Sequence, residues 1–441
     1  MVGIGAAQEL IALLARHEQF DVVGPVSALA LAGSSPGEAA MAVDAGLVVT
    51  GHVDRSLDRL SIEVRVTEEP AGIESWRAAW AERPEDLFGI LGEVADRVAA
   101  AAGGAALSAK AETLVHREPT TDLRAWELYL RGQALLRDPR ADTIREALRR
   151  FEGALELDDL FSGATAAIAD AYRLADEREL AMAPENRLSA IREASERALA
   201  LDERLPTAHL CLAYADLRAW ALESALARLG RLVERLPAHA EAHRAMGRLQ
   251  MLQGDPRAAA DSLDRALALE PLSDAIANES GVPHAMLGRL DVAVERSRNV
   301  VHRNPEDAMA YYHLGKYAEQ AERHGEAVTY YRAAAELSGR VPYLTAFLGM
   351  ALVSLGDLQE AEDIAHDLER KAARGSPIAT CLGVLLVRMG RTLEGLTYLE
   401  SGLAARELLL LLLDTPWLPV PEVRDHPRLR ALLDALPSST P

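Results

Sequence analysis

Residues 240–271 read AEAHRAMGRLQMLQGDPRAAADSLDRALALEP, a stretch that is helical in character yet places Gly247 inside its first helix. Glycine costs about 1 kcal/mol there relative to alanine. Stepping forward by 34 residues from Gly247 meets Gly281, Gly315, Gly349 and Gly383 in turn, and stepping back meets Ala213. A second small-residue series runs beside it through Ala225, Ala259, Ala293, Ala327, Ala361 and Gly395. Two parallel series at one spacing are the mark of stacked helix-turn-helix units, in which a spot without a side chain lets the partner helix come close. A third series, Gly254, Gly288, Gly356 and Gly390, marks the turn inside each unit, and Pro237, Pro271 and Pro305 mark the exits.

In the quoted unit the first helix carries His243, Met246, Gly247 and Gln250, and the second carries Ala259, Leu263 and Ala266. Apolar and small residues three and four apart give each helix one packing stripe. The pattern resembles the tetratricopeptide repeat, whose small residue in helix A, small residue early in helix B and closing proline match Gly247, Ala259 and Pro271. Regular units run over 206–405, six in all. Two looser pairs precede them: LYLRGQALL with EALRRFEGALELDD, and ATAAIADAYRL with IREASERALALDE. About eight helical pairs are expected, and the fold class is mainly α, a right-handed tetratricopeptide α-solenoid preceded by a small α/β domain.

That domain occupies 1–105, where the period changes. FDVVG and GLVVTGHV are β-branched runs, LSIEVRVTE alternates apolar with polar from Leu60 to Glu68, and GIESW reads as a further short strand. Helices are expected at Ala6–His17, Pro36–Ala45 and Pro84–Ala102. Residues 106–205 form a linker with the two irregular pairs, and 406–441 a carboxyl-terminal capping segment with Trp417, Pro427 and Leu433.

GLVVTGHV, LSIEVRVTE, GIESWRAAW and PEDLFGILGEVADRVAAA, followed by LRAWELYLRGQALL and ended by TPWLPVPEVRDHPRLRALLDAL, resemble a domain pair of bacterial signalling proteins. In it a domain like the amino-terminal part of TolB precedes tetratricopeptide repeats. The resemblance implies a sensing and scaffolding role carboxyl-terminal to an output domain, such as an adenylate cyclase, a kinase or a CadC-type winged-helix domain. This chain departs from that pattern at its start, which lacks the apolar first strand before Ala6–His17. It reads either as a free-standing sensor or adaptor, or as the regulatory part of a signalling enzyme or transcription regulator whose output domain lies upstream or on another chain. A sheet without that strand presents an edge that invites pairing.

Bulk properties agree with an interaction protein. The 441 residues are 49% hydrophobic and 26% charged, with 5% aromatics, the composition of a folded helical chain. The net charge of −20 repels nucleic acid and acidic membranes. The only lysines are Lys110, Lys316 and Lys371, and Cys211 and Cys381 read as buried free thiols. The first twenty residues lack a basic n-region and carry Glu9 inside the apolar stretch, so no signal peptide is read. Leu408–Leu413 is too short to span a membrane. The expectation is a soluble, cytoplasmic chain, its oligomeric state left open.

No catalytic, cofactor or metal site emerges. Gly103-Gly104 and AGSSPG at 32–37 lack the Lys-Ser/Thr of a phosphate loop, and no serine elbow occurs. His239 and His243 stand one helical turn apart, a zinc-like spacing, but His243 shares a packing position with His209, Tyr311 and Thr345. His313, His324 and His366 are dispersed. Glu156, Asp158 and Asp159 read as exposed helix-end carboxylates. The register places Arg244, Arg248, Asn278, Tyr312, Lys316, Tyr343 and Arg388 on the concave face lined by the first helices, beside Tyr214 and Met251. A protein or peptide partner of acidic character is the expected occupant. The terminal-carboxylate clamp of some family members is not matched, because Arg248, Glu279 and Met309 stand at its positions.

Overall fold

The strict alternation of Leu60, Ile62, Val64 and Val66 buries one face of a strand, and that strand organises the amino-terminal part of the chain. The computed structural model describes residues 2–15, 21–56, 59–101, 120, 122–137, 140–175 and 184–437. Its strands β1 (Leu47–Arg55), β2 (Leu60–Glu68) and β3 (Ile73–Glu82) form an antiparallel sheet in the order β1-β2-β3. Leu47 pairs with Glu68 and Leu60 with Glu82, with an irregularity between Val66 and Thr67. A one-residue slip would turn all four buried side chains outward, at roughly 1.5–3 kcal/mol each. The register is therefore fixed.

Around the sheet lie α1 (Val2–Leu14), α2 (Pro25–Ala30), α3 (Pro36–Val43) and α4 (Leu87–Ala101). α3 starts in a capping box, in which the Ser35 hydroxyl takes the Glu38 N–H and the Glu38 carboxylate takes the Ser35 N–H. Ala6, Leu13, the four β2 residues and Leu87, Leu91, Val94 and Val98 of α4 share one core with Trp126, Leu130, Phe161 and Ala164. A side chain at Gly5 would run into Leu130 and Trp126, so α1 lies directly against the first helical pair.

FDVVG does not become a strand. Phe20 lies outside the described residues, and Asp21–Gly24 carry no ladder. The Gly24 N–H instead donates to the Leu269 carbonyl at 2.8 Å, and the Val26 and Ser27 N–H groups donate to the Glu270 carboxylate at 3.0 and 2.7 Å. Pro25 opens a helix there, and helix geometry takes up the backbone a strand would need. GIESW belongs to a longer strand than its own length suggests. His17, Lys110, Gly103-Gly104 and the boundary at 105/106 lie outside the described residues.

The rest of the described chain is helical and falls into pairs: α5 (Leu123–Leu135) with α6 (Ala141–Leu157), α7 (Ser162–Ala175) with α8 (Pro184–Leu201), and α9 (Pro206–Arg218) with α10 (Leu222–Arg235). These are followed by α11 (Ala240–Leu252) with α12 (Pro256–Leu269), and α13 (Asp274–Met286) with α14 (Leu290–Arg303). The series closes with α15 (Ala308–Gln320) and α16 (His324–Leu337), α17 (Pro342–Leu355) and α18 (Leu358–Ala372), α19 (Ala379–Arg388) and α20 (Thr392–Ala404), then α21 (Pro427–Asp434). The molecule divides into two compact units. One comprises 1–216, 223–243 and 268–272, the other 217–222, 244–267 and 273–441. The core of the second runs without a break from Ala285 to Leu432.

The glycine register is a packing register. A Cβ on Gly247 would sit 2.6 Å from the Leu263 Cγ and 3.2 Å from the Ala259 carbonyl oxygen. At Gly383 and Gly395 the two backbones touch, and a Cβ on either would meet the other's carbonyl oxygen at 2.8 and 2.6 Å. The turn register is conformational. Positions 220, 254, 288, 322, 356 and 390, spaced by 34, all have positive φ: 60, 76, 80, 57, 92 and 83°. Four are glycines, whereas Trp220 and Glu322 hold the same left-handed geometry with a side chain.

Cys211 and Cys381 are buried free thiols. His239 Nδ1 accepts the Ala242 N–H at the start of α11, and His243 Nε2 donates to the Pro237 carbonyl at 2.9 Å, so both rings serve the helix start. The Asp158 carboxylate takes the Leu160 N–H and the Thr120 hydroxyl and is half-buried rather than exposed. Among the described residues no helix is long and apolar enough to cross a membrane, and no group of three or more metal-ligating side chains forms.

A non-glycine residue in the left-handed region costs about 1–2 kcal/mol. Glu322→Gly is therefore expected to raise the urea midpoint of the second unit, read by far-ultraviolet circular dichroism. Gly383→Ala is expected to lower it, through a stability loss of roughly 1–3 kcal/mol, because the obstructing atom is backbone and cannot rotate away. Unchanged midpoints would separate the 34-residue register from stability.

Candidate partner-binding face

In two of the first helices, the residues three before and one after the buried glycine stand one turn apart on one face: Arg244 and Arg248 about Gly247, and Tyr312 and Lys316 about Gly315. The candidate residues of the second unit resolve into two clusters and one isolated side chain.

The first cluster is built on Glu279 of α13. Arg244 grips its carboxylate with two bonds, Nε to Oε2 at 3.0 Å and Nη2 to Oε1 at 2.6 Å. Arg248 stands 4.0 Å from the same carboxylate and is 56% exposed. Burial alone would raise the Glu279 carboxyl, but Arg248 and Arg244 outweigh it and hold it below the usual carboxylate range. Two guanidinium groups thus face one carboxylate. Arg244 is committed to it, and Arg248 presents the more open charge.

Asn278 is buried, with Nδ2 donating to Asp307 Oδ1 at 3.2 Å. Asp307 also accepts the Ala310 N–H at 2.7 Å, so this contact ties α13 to the start of α15. Met251 is buried as well.

The second cluster centres on Glu319 of α15. Lys316 Nζ lies 3.0 Å from its Oε2, Arg388 Nη1 is 2.7 Å from its Oε1, and the Tyr331 hydroxyl donates to Oε2 at 3.1 Å. Lys316 is only 5% exposed. Its ammonium sits 5.2 Å from the ring centroids of both Phe347 and Trp417, a cation held between two aromatic faces. The Tyr343 hydroxyl donates to that of Tyr312, whose ring packs on Phe347 and Trp417. Burial acts to raise the Glu319 carboxyl, yet Lys316 and Arg388 prevail and bring it to about 2. Burial lowers Lys316 against the pull of Glu319, and it brings His313, beside Trp417, down to about 4.

Glu319, Phe347 and Trp417, which surround the candidate residues Lys316, Arg388 and Tyr312, were not read as part of this face. Glu319 lies three residues after Lys316, a spacing that marks a helical ion pair. Trp417, assigned to the cap, gives no local signal of where its ring lands.

The sequence profile of the tetratricopeptide repeat matches residues 244–296 and 284–343. That stretch carries tetratricopeptide repeats. The match covers Glu279 with Arg244 and Arg248, and Glu319 with Lys316, whereas Arg388 lies beyond it. No curated protein matches the chain. Among solved structures, the repeats are similar to TTC0263, a thermophilic tetratricopeptide protein of Thermus thermophilus, at 21% identity over 44% of this chain and 97% of that one, with a TM-score of 0.37. YrrB, described as a tetratricopeptide protein with an unusual peptide-binding site, is 19% identical over 42% of this chain and 91% of its own, with a TM-score of 0.31. The Cut9–Hcn1 assembly of the APC/C is 14% identical over 74% of this chain and 62% of that one, with a TM-score of 0.47.

Breaking a buried pair leaves the remaining charges uncompensated, so Glu319→Gln is expected to cost roughly 3–5 kcal/mol at pH 7. The folded-state value of Glu319 lies below its ordinary 4.5, so the ionised carboxylate stabilises above about that pH and the benefit fades as pH falls toward about 2. The gap between wild type and Glu319→Gln should close across that window in urea titrations. A gap independent of pH would contradict the pair's assignment.

Proposed function

We propose that the protein is a non-catalytic interaction scaffold of a bacterial regulatory system, cytoplasmic, and that its repeats take an acidic protein segment at Arg248. Tetratricopeptide arrays are protein-interaction surfaces, formed chiefly by their first helices. The observation that carries the acidic character of the partner is the pairing of Arg244 and Arg248 against the single carboxylate of Glu279, with Arg248 more than half exposed. A guanidinium so placed offers a planar fork to an incoming carboxylate. In this reading residues 206–405 are the scaffold, with 406–441 as its cap. Residues 1–105, by their resemblance to the TolB-like domain of signalling proteins, form its sensing part, joined through 106–205.

Arg248 is the residue to change, because removing Arg244 would strand Glu279 inside the protein and mix stability with binding. A phage-displayed peptide library panned on the intact chain is expected to enrich sequences rich in Asp and Glu. Arg248→Glu is expected to abolish that enrichment; because it replaces one of the two guanidinium groups that hold the Glu279 carboxyl down, a fall in melting temperature accompanies it, while Arg244 keeps both bonds to Glu279. Recovery of the same sequences on both proteins would remove the site.

A further inference from the structure

The face formed by Tyr312, Lys316, Phe347 and Arg388 has an occupant, and it is the chain itself. Residues 413–419 make a tight loop with Trp417 near its tip. The Asp414 N–H donates to the Leu418 carbonyl at 3.0 Å and the Leu418 N–H to the Thr415 carbonyl at 3.1 Å. Asp414 takes a φ of 58°, and its carboxylate is gripped by Arg424 at 2.8 Å. The Trp417 ring is 5% exposed and covers Lys316, Tyr312, His313 and Tyr317, while Arg388 Nη2 reaches the Pro419 carbonyl at 3.5 Å.

Two observations separate this from ordinary end-capping. The loop engages the first helices of two pairs, α15 through Lys316, Tyr312, His313 and Tyr317 and α19 through Arg388, while Phe347 of α17 flanks the same ammonium. An apolar cap needs only apolar partners, yet Lys316 and Arg388 are both nearly buried here against one carboxylate, Glu319. Buried cations in excess of their counter-charge are a poor way to gain stability. They are well suited to recognising an aromatic ring with a carboxylate beside it. The loop's own sequence, Asp414-Thr-Pro-Trp417-Leu, has that composition, with its carboxylate drawn off to Arg424.

We propose that residues 413–419 are a built-in ligand of a recognition site made by Lys316, Arg388, Tyr312 and Phe347. The site takes in trans a protein segment that presents a tryptophan with a neighbouring carboxylate, and the loop must leave for that segment to enter. This rests on the reading of the first-helix face as partner-binding. Because the loop is tethered, it competes at an effective concentration on the order of mM. A free segment of equal intrinsic strength therefore gains access only once the loop is weakened.

The test is fluorescence anisotropy with a labelled synthetic peptide, LDTPWLPVPEV, of residues 413–423, titrated with the full chain. Trp417→Ala is expected to bind it at least tenfold more tightly than wild type, and Lys316→Met added to Trp417→Ala is expected to erase that gain. Equal or absent binding to a Trp417→Ala chain with a wild-type circular dichroism spectrum overturns the proposal, as does a gain indifferent to Lys316→Met. Should Trp417→Ala lose the folded spectrum, Pro416→Gly with Pro419→Gly loosens the loop while keeping its ring, and no gain in peptide affinity there overturns the proposal equally. Arg248→Glu, placed in the same assay, leaves the peptide affinity unchanged if the two sites are separate, so failure here is told apart from failure at Arg248.

Discussion

The close approach of paired helices at side-chain-free positions is the constraint from which the repeats follow. Where Gly383 faces Gly395, two backbones meet with no room for a methyl group. At Gly247 the neighbour is a leucine side chain, and at Gly315 it is the ring of Tyr331, so the same register serves contacts of different hardness. That contact sets how each first helix is rotated, and the rotation decides which residues line its other face. Tyr312 and Lys316 share a face because they stand one helical turn apart, and Gly315 between them is turned toward Tyr331 of α16.

Charge on that face is handled in two ways. Around Glu279 one arginine closes the pair and a second stays in solvent. Around Glu319 both cations are drawn inside and roofed by Phe347 and Trp417. A chain of net charge −20 therefore carries local positive excess at two places along its repeats. The first is open to ions and is weakened by salt, whereas the second is shielded from them.

The repeats were legible because close packing writes itself into sequence as periodic small residues. The mainly helical fold with a small sheet near the start follows from periodicity alone. The sheet was legible at β2, where alternation is strict, and failed at FDVVG, where a β-branched run ends at Pro25 and the backbone is recruited by Glu270, far along the chain. The turn register was half visible. Gly254, Gly288, Gly356 and Gly390 announce left-handed geometry, while Trp220 and Glu322 adopt it with no local sign. Lys316, Tyr312 and Arg388 were placed on one face by register alone; their enclosure depends on a tryptophan distant in the chain from the first two, and separations of that kind leave no periodic trace.

The tie between Gly24–Ser27 and the end of α12 bears on how the protein is made. The Val26 N–H and the Glu270 carboxylate that receives it are 244 residues apart in the chain. At about 5–20 residues per second, a ribosome takes roughly 12–50 s to deliver the acceptor after the donor has been made. The start of α2 must spend that interval with its N–H groups bonded to water instead of to Glu270, so this helix end is completed only after the fourth helical pair has been made.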